Sequence, residues 1–256
     1  MTNHLLALDF DGVICDGLAE YFQTTCYAYG ELWPQAEQFL EGYREGFYAA
    51  RPIIESGWEM PVMLRALVRG HSVQDILAHW PDRRTEILAE QTYDRAHFSQ
   101  VVDAVRDRAI HEQLMDWLAL HRFYPGVITQ LQQWLTLPHV DLWIVSTKEG
   151  RFIAQLLEQA GVDLPRSQII GKEIRQPKVV TLGQLRDRAP EHLISFVEDR
   201  LPPLQQASAI PELADVRLYL ADWGYNTAAM RSQINGGAQI QLLSLEQFGQ
   251  LIVPIA

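Results

Sequence analysis

Residues 5–16, which read LLALDFDGVICD, decide the fold class of this chain. The apolar run 5–10 is short and stops at acidic residues and Gly12, which is typical of a buried parallel strand that ends at a functional loop. In open parallel sheets, ligands bind beyond the carboxyl ends of the strands. Asp9 and Asp11 therefore fall where a ligand is expected.

Apolar runs of the same kind recur in the second half of the chain. They are residues 141–145, 168–170, 193–197, 216–221 and 239–243. Helical patterns such as 151–160 and 179–188 separate them. Alternating strands and helices predict an α/β fold, with a parallel sheet and helices on both of its faces.

The region 17–122 has a different pattern, with several helical periodicities and no convincing strand. Residues 72–75 resemble a capping box that begins one helix, and a long helix is expected to end near Arg122, before the Pro125-Gly126 turn signal. The sequence therefore predicts a catalytic core made of residues 1–16 and 123–256. An all-helical domain, residues 17–122, is inserted after the first strand.

Composition and charge exclude several classes of partner. The chain is 48% hydrophobic and carries a net charge of −11. An acidic surface repels nucleic acid and anionic lipid, so neither is expected as a partner. No signal peptide or membrane-spanning run is visible, and the cytoplasm is the expected location. Cys15 and Cys26 fit neither a zinc pattern nor a disulfide framework, and are expected to be reduced thiols.

Chemically active residues follow the predicted strands. They are Asp9 and Asp11 after the first strand, Ser146, Thr147 and Lys148 after 141–145, and Glu198 and Asp199 after 193–197, with Lys178 at the start of a helical pattern. Phosphoryl transfer needs an oxygen nucleophile, a proton donor and groups that neutralise phosphate charge. Two neighbouring carboxylates can be nucleophile and general acid, and Mg²⁺ relieves their mutual repulsion. A hydroxyl and an ammonium can hold the remaining phosphate oxygens.

Each of these motifs, taken alone, has an ordinary structural interpretation. An Asp-x-Asp pair is often a polar turn, a Ser-Thr pair a helix cap, and a Glu-Asp pair a solvated loop. Their joint occurrence in order at successive strand ends favours the catalytic interpretation. The three lysines of the chain, Lys148, Lys172 and Lys178, also fall within this part of the sequence.

Four segments resemble the motifs of the haloacid dehalogenase superfamily of phosphatases. Residues 9–16 resemble its first motif, 145–148 its second, Pro177-Lys178 with Leu182 its third, and 196–199 its acidic fourth. The segments 124–127 and 222–225 are similar to those of phosphoglycolate-phosphatase-like members. The resemblance covers essentially the whole chain and implies a Rossmann-like core with a helical cap domain after strand one.

The resemblance also implies a role for each site residue. Asp9 would be the nucleophile that forms a phospho-aspartate, and Asp11 would protonate the leaving group and then activate water. Ser146, Thr147 and Lys178 would bind phosphate, with Lys172 as a competing candidate. Mg²⁺ would be held by Asp9, the Asp11 backbone carbonyl and Asp199, with Glu198 nearby. The expected reaction is hydrolysis of a small phosphorylated metabolite.

Two alternatives to a phosphatase remain open. A sugar phosphomutase uses the same two aspartates, and a binding or scaffold protein could keep a vestigial site. A dehalogenase is disfavoured because that chemistry needs no acid at Asp11, and a phosphonate hydrolase because the helical insert lacks lysine.

Arg44 and Arg51, seven residues apart, are candidate specificity residues that could share a helix face. Neither the substrate nor the oligomeric state can be predicted from these residues.

Overall fold

The chain folds as two units. The computed structural model describes residues 3–36, 39–91, 94–234 and 239–252. One unit, here called the core unit, consists of Met1–Asp16 and Arg122–Ala256; the other, the helical unit, is Gly17–His121. The boundary that the sequence predicts between residues 122 and 123 lies one residue later than the observed one. No helix in the described ranges is long and apolar enough to cross a membrane.

A six-stranded, wholly parallel sheet forms the centre of the core unit, as the sequence predicts. Its strands are β1 (His4–Leu8), β4 (Val140–Val145), β5 (Ile169–Ile170), β6 (Leu193–Glu198), β7 (Arg217–Ala221) and β8 (Ile240–Leu243). Their order is β5-β4-β1-β6-β7-β8, which places β1 between β4 and β6. The carboxyl ends of β1, β4 and β6, which carry Asp9, Ser146 and Glu198, are therefore neighbours.

The first strand is shorter than the apolar run that predicts it. It ends at Leu8, because the carbonyl of Phe10 accepts hydrogen bonds from the amides of Ile14 and Cys15, both at 2.9 Å, and so closes a loop. The two-residue strands β2 (Cys15–Asp16) and β3 (Arg122–Phe123) then pair antiparallel. This small ribbon is the point at which the chain leaves and re-enters the core unit.

Helices cover both faces of the sheet. They are α6 (Val127–Leu135), α7 (Gly150–Gln159), α8 (Lys178–Arg188), α9 (Leu201–Ser208), α10 (Ala228–Arg231) and α11 (Leu245–Phe248). Leu5 and Ala7 of β1 share a buried cluster with residues of α8 and α9. Side chains alternate along a strand, so Leu6 and Leu8 point to the opposite face, and both are fully buried. Burial on both faces explains the uninterrupted apolar run.

In the part of the helical unit that the structure describes, five α-helices are present. They are α1 (Leu18–Leu32), α2 (Arg44–Ala50), α3 (Glu59–Val68), α4 (Val73–Ala89) and α5 (Arg95–Ala119). The Ser72 side chain accepts a hydrogen bond from the Asp75 amide and caps α4 at the predicted start, whereas the Asp75 carboxylate bonds Arg83 instead of completing a capping box. The long helix α5 ends at Ala119, three residues before the predicted end at Arg122, which instead pairs in β3.

Candidate active site

The loop after β1 presents the first aspartate. The Asp9 amide bonds to the Val197 carbonyl of β6 at 2.9 Å, and the Phe10 amide donates to Asp9 Oδ1 at 2.7 Å. Gly12 has a φ of 85°, in the left-handed region, and a Cβ there would overlap the Asp199 carboxylate. The loop therefore depends on glycine at position 12 to bring the first and fourth motifs together.

Lys178 joins two of the buried acids. It is the first residue of α8, and its Nζ lies 2.7 Å from Asp9 Oδ2 and 2.6 Å from Glu198 Oε2. Burial alone would lower the pKa of Lys178, but the two carboxylates outweigh burial and raise it, so the side chain stays charged. The competing candidate, Lys172, has an exposed side chain in a 3₁₀ turn.

Three buried carboxylates converge beside this lysine. Asp9, Glu198 and Asp199 offer oxygen atoms that all lie within 4.8 Å of one another. Burial raises the pKa of Asp9 to about 6, with Glu198 adding to the rise and Lys178 opposing it. Burial likewise raises the pKa of Glu198 to about 7, with Lys178 opposing and Asp199 adding. The cluster carries more negative charge than Lys178 compensates, and its hard oxygen ligands fit Mg²⁺.

The segment after β7 holds Asp199 in place. The Tyr225 amide donates to Asp199 Oδ2 and the Asn226 side chain donates to the Asp199 carbonyl, both at 2.9 Å. A Cβ at Gly224 would overlap both Asp199 and the Gly12 carbonyl, so this close approach requires glycine. Trp223 Nε1 donates to the Val13 carbonyl at 3.1 Å, which ties the segment to the first loop.

The second motif forms a loop beside Asp9. The Ser146 side chain is buried and lies near enough to Asp9 to lower the pKa of its carboxyl, whereas the Thr147 side chain is exposed. Lys148 Nζ lies 3.3 Å and 3.5 Å from the two carboxylate oxygens of Asp11. The carboxylate of Asp11 therefore faces the Lys148 ammonium rather than the three-acid cluster. The sequence interpretation gave only the backbone carbonyl of Asp11 a role in holding the metal.

The two arginines proposed for specificity lie in the helical unit and have partners there. Arg44 makes a paired contact with Glu41 and stacks on Phe22. Arg51 donates to the Ile54 carbonyl at 3.2 Å and stacks on Tyr21. They are not on one continuous helix, because α2 ends at Ala50 and a 3₁₀ turn begins at Arg51.

Sequence reasoning missed Asn226, which helps to complete this arrangement, and did not predict the partner of Lys148. Asn226 was not singled out, and its polar type in a loop after a strand gave no signal of a contact with Asp199. The sequence places Lys148 in the second motif, directly after Ser146 and Thr147, but assigns it no role. Its contact with Asp11 has no local signal, because 137 residues separate the two.

Solved structures with the same fold cover nearly the whole chain. A haloacid dehalogenase-like family hydrolase from Streptococcus pneumoniae is 13% identical with a TM-score of 0.56, covering 97% of each chain. A predicted phosphatase from Clostridium acetobutylicum is 12% identical with a TM-score of 0.58, covering 98% of each chain. A predicted phosphoglycolate phosphatase from Haemophilus somnus is 17% identical with a TM-score of 0.57, covering 88% of each chain.

These likenesses are ones of fold, and they confirm the fold predicted from the sequence. No family model matches the chain. No curated protein matches it either.

Proposed function

We propose that this chain, which shares the fold of haloacid dehalogenase-like hydrolases, is a Mg²⁺-dependent phosphatase acting on a small phosphorylated metabolite. The observation that carries the proposal is the arrangement around Asp9. This buried carboxylate follows a central strand, pairs with the Lys178 ammonium and lies within 4.8 Å of ligand atoms of Glu198 and Asp199. A nucleophile, a positive charge and metal-ligating oxygens thus meet at one point.

The chemistry proceeds in two displacements. A carboxylate oxygen of Asp9 attacks phosphorus, the bond to the leaving oxygen breaks, and Asp11 donates a proton to that oxygen. Asp9 then carries the phosphoryl group. In the second step water attacks phosphorus and gives its proton to Asp11, and the bond to Asp9 breaks. The products are an alcohol and inorganic phosphate, and both aspartates return to their starting states.

Charge on the transferred group requires fixed donors. The Lys178 ammonium contacts Asp9 and the buried Ser146 side chain lies near it, so both are placed to reach the oxygens of a phosphoryl group on Asp9. Preorganised donors of this kind stabilise a transition state because they need no rearrangement during the reaction. The exposed Thr147 would contribute through its backbone at most.

The acids of the cluster supply the metal site. Asp9 and Asp199 would hold Mg²⁺, with the Asp11 backbone carbonyl, and Glu198 would lie nearby. When bound, Mg²⁺ would neutralise phosphoryl charge and relieve the repulsion among the buried carboxylates. Bonds from Tyr225 and Asn226 fix Asp199 for this role.

The test is phosphate release by the purified protein from 4-nitrophenyl phosphate and from a panel of phosphorylated metabolites, with Mg²⁺ or with EDTA. Asp9→Asn is expected to lower turnover by about 10³-fold or more, because the nucleophile is lost. The exposed Asp163 gives a matched control, Asp163→Asn, which should retain wild-type activity.

Three outcomes would contradict the proposal. Wild-type turnover by Asp9→Asn would remove Asp9 as nucleophile, and full activity in EDTA would remove the metal. Isomerised sugar phosphate without released inorganic phosphate would identify a phosphomutase instead.

A further inference from the structure

Each of the two aspartates has its own lysine. Lys178 contacts Asp9, and Lys148 contacts Asp11 at 3.3 Å and 3.5 Å to its two oxygens. The Lys148 and Asp11 side chains are 8% and 13% exposed, so the pair is largely shielded from water. Among the residues that the structure describes, Lys148 is the side chain that hydrogen-bonds the Asp11 carboxylate.

The backbone at Lys148 is fixed from both sides. Its amide donates to Ser146 Oγ at 3.3 Å, and its carbonyl accepts from the Lys172 amide at 2.9 Å. A Cβ at Gly171 would lie 2.8 Å from the Lys148 carbonyl oxygen, so the two loops are in close contact. The stem of Lys148 therefore starts from an anchored loop, and its ammonium has a restricted range of positions.

We infer that Lys148 is a positioning residue, which holds the Asp11 carboxyl in the orientation needed for proton transfer to the leaving group. An ammonium that contacts both oxygens of a carboxylate opposes rotation of that carboxylate. A general acid works only within hydrogen-bond reach of the oxygen that it protonates, so a freely rotating Asp11 would spend less time in the productive geometry. This inference rests on the proposed phosphatase function and adds to it a residue that acts through Asp11.

The test measures how Lys148→Met changes the hydrolysis of two phosphate esters that differ in leaving group. An alkyl phosphate needs a proton on its leaving oxygen, whereas 4-nitrophenyl phosphate needs little help. The expected result, measured as the single-turnover rate of alcohol or phenol release, is a loss of about 10²-fold in the first step on the alkyl phosphate, the size of a general-acid contribution, and a loss of less than about threefold in that step on the aryl phosphate. The second step, in which Asp11 accepts the proton of water, is common to both esters and should slow equally on both.

Two further variants separate positioning from other roles. Lys148→Arg keeps the charge and is expected to recover part of the alkyl phosphate activity, and Lys172→Met is the matched control without effect on the substrate ratio. In an Asp11→Asn background, Lys148→Met should cause no further loss, because its effect passes through Asp11. Additional loss in that background, or equal losses in the first step on both esters, would overturn the inference and place Lys148 directly on the phosphate.

A cycle of unfolding free energies tests the pair without substrate. Lys148→Met and Asp11→Asn should couple, so that the double variant is less destabilised than the sum of the single variants. Additive effects would show that the pair is absent and would overturn the inference. A wild-type protein that releases phosphate from neither ester would instead overturn the proposed function, a result distinct from either outcome above.

Discussion

Buried acids in the helical unit and in the core unit differ in their hydrogen-bond and ion-pair partners. In the helical unit, Glu20 is fully buried and accepts bonds from Thr24 Oγ1 at 2.6 Å, Arg106 Nε at 2.8 Å and Trp117 Nε1 at 3.2 Å. In the core unit, Asp9, Glu198 and Asp199 crowd together, and Lys178 bonds two of the three.

A second buried acid of the helical unit has surroundings like those of Glu20. Glu59 is buried and accepts from two backbone amides, those of Glu55 and Ser56, from Trp80 Nε1 and from Arg84 Nη1. Glu20 and Glu59 each have a guanidinium and several neutral donors. A carboxylate surrounded in this way is a structural element, whereas a crowded cluster with a raised pKa keeps unused ligand capacity for a cation or a substrate.

The largest effect that would test this contrast is expected at Lys178. Lys178→Met removes the charge shared by Asp9 and Glu198, and should lower kcat/KM for phosphate ester hydrolysis by about 10²–10³-fold, as for the loss of a preorganised donor. The measurement is steady-state phosphate release, with circular dichroism to verify folding. Lys172→Met, an exposed lysine of the same unit, is the control. A larger loss from Lys172→Met would reverse the assignment of the two lysines.

The next effect is on stability, in the helical unit. Glu20→Ala leaves the Arg106 guanidinium without its carboxylate, and should lower the free energy of unfolding by about 3 kcal/mol. Glu31→Ala, on the same helix, breaks a solvent-exposed pair with Arg108 and should cost no more than about 1 kcal/mol. Urea titrations of both variants provide the comparison. Equal losses would mean that burial of the Glu20 pair has no special importance.

Much of the fold and part of the site could be predicted from the sequence, for local reasons. Strands buried on both faces have continuous apolar runs, and catalytic residues follow those runs directly. Partners that are distant in sequence left no local signal. Lys148 and Asp11 are 137 residues apart, and Arg106 and Glu20 are 86 apart. A lysine after a strand, or an arginine in a helix, has the same local pattern whether or not the fold brings an acid to it.

A smaller effect with a definite sign is expected at Glu198. Its folded-state pKa, about 7, lies above the ordinary value of 4.5, mainly because of burial. The ionised side chain therefore costs stability above pH 7, and that cost decreases as the pH falls from about 7 towards 4.5. Glu198→Gln lacks this charge, and Lys178 keeps Asp9 as a partner. In EDTA at pH 8 the variant should have a higher Tm than the wild type.

The pH dependence distinguishes this explanation from a general change in packing. The Tm difference between Glu198→Gln and the wild type should shrink as the pH is lowered from 8 towards 5. A variant that is less stable at pH 8, or a difference that does not depend on pH, would show that Glu198 is compensated as fully as Glu20.

The smallest effect is expected at Arg51, where a binding role and a structural role predict different results. The contacts of Arg51 within the helical unit, with the Ile54 carbonyl and the Tyr21 ring, resemble those of a structural arginine. Arg51→Ala should therefore cost about 1 kcal/mol of stability, the size of a partly exposed cation–π contact, and leave turnover of 4-nitrophenyl phosphate unchanged. Arg44→Ala, which loses stacking on Phe22, is the matched variant.

The specificity role of Arg51 stays a prediction, which the metabolite panel tests. Impaired turnover of a metabolite, with aryl phosphate hydrolysis intact, would assign Arg51 to substrate selection, whereas parallel behaviour of both substrates would leave it a structural residue.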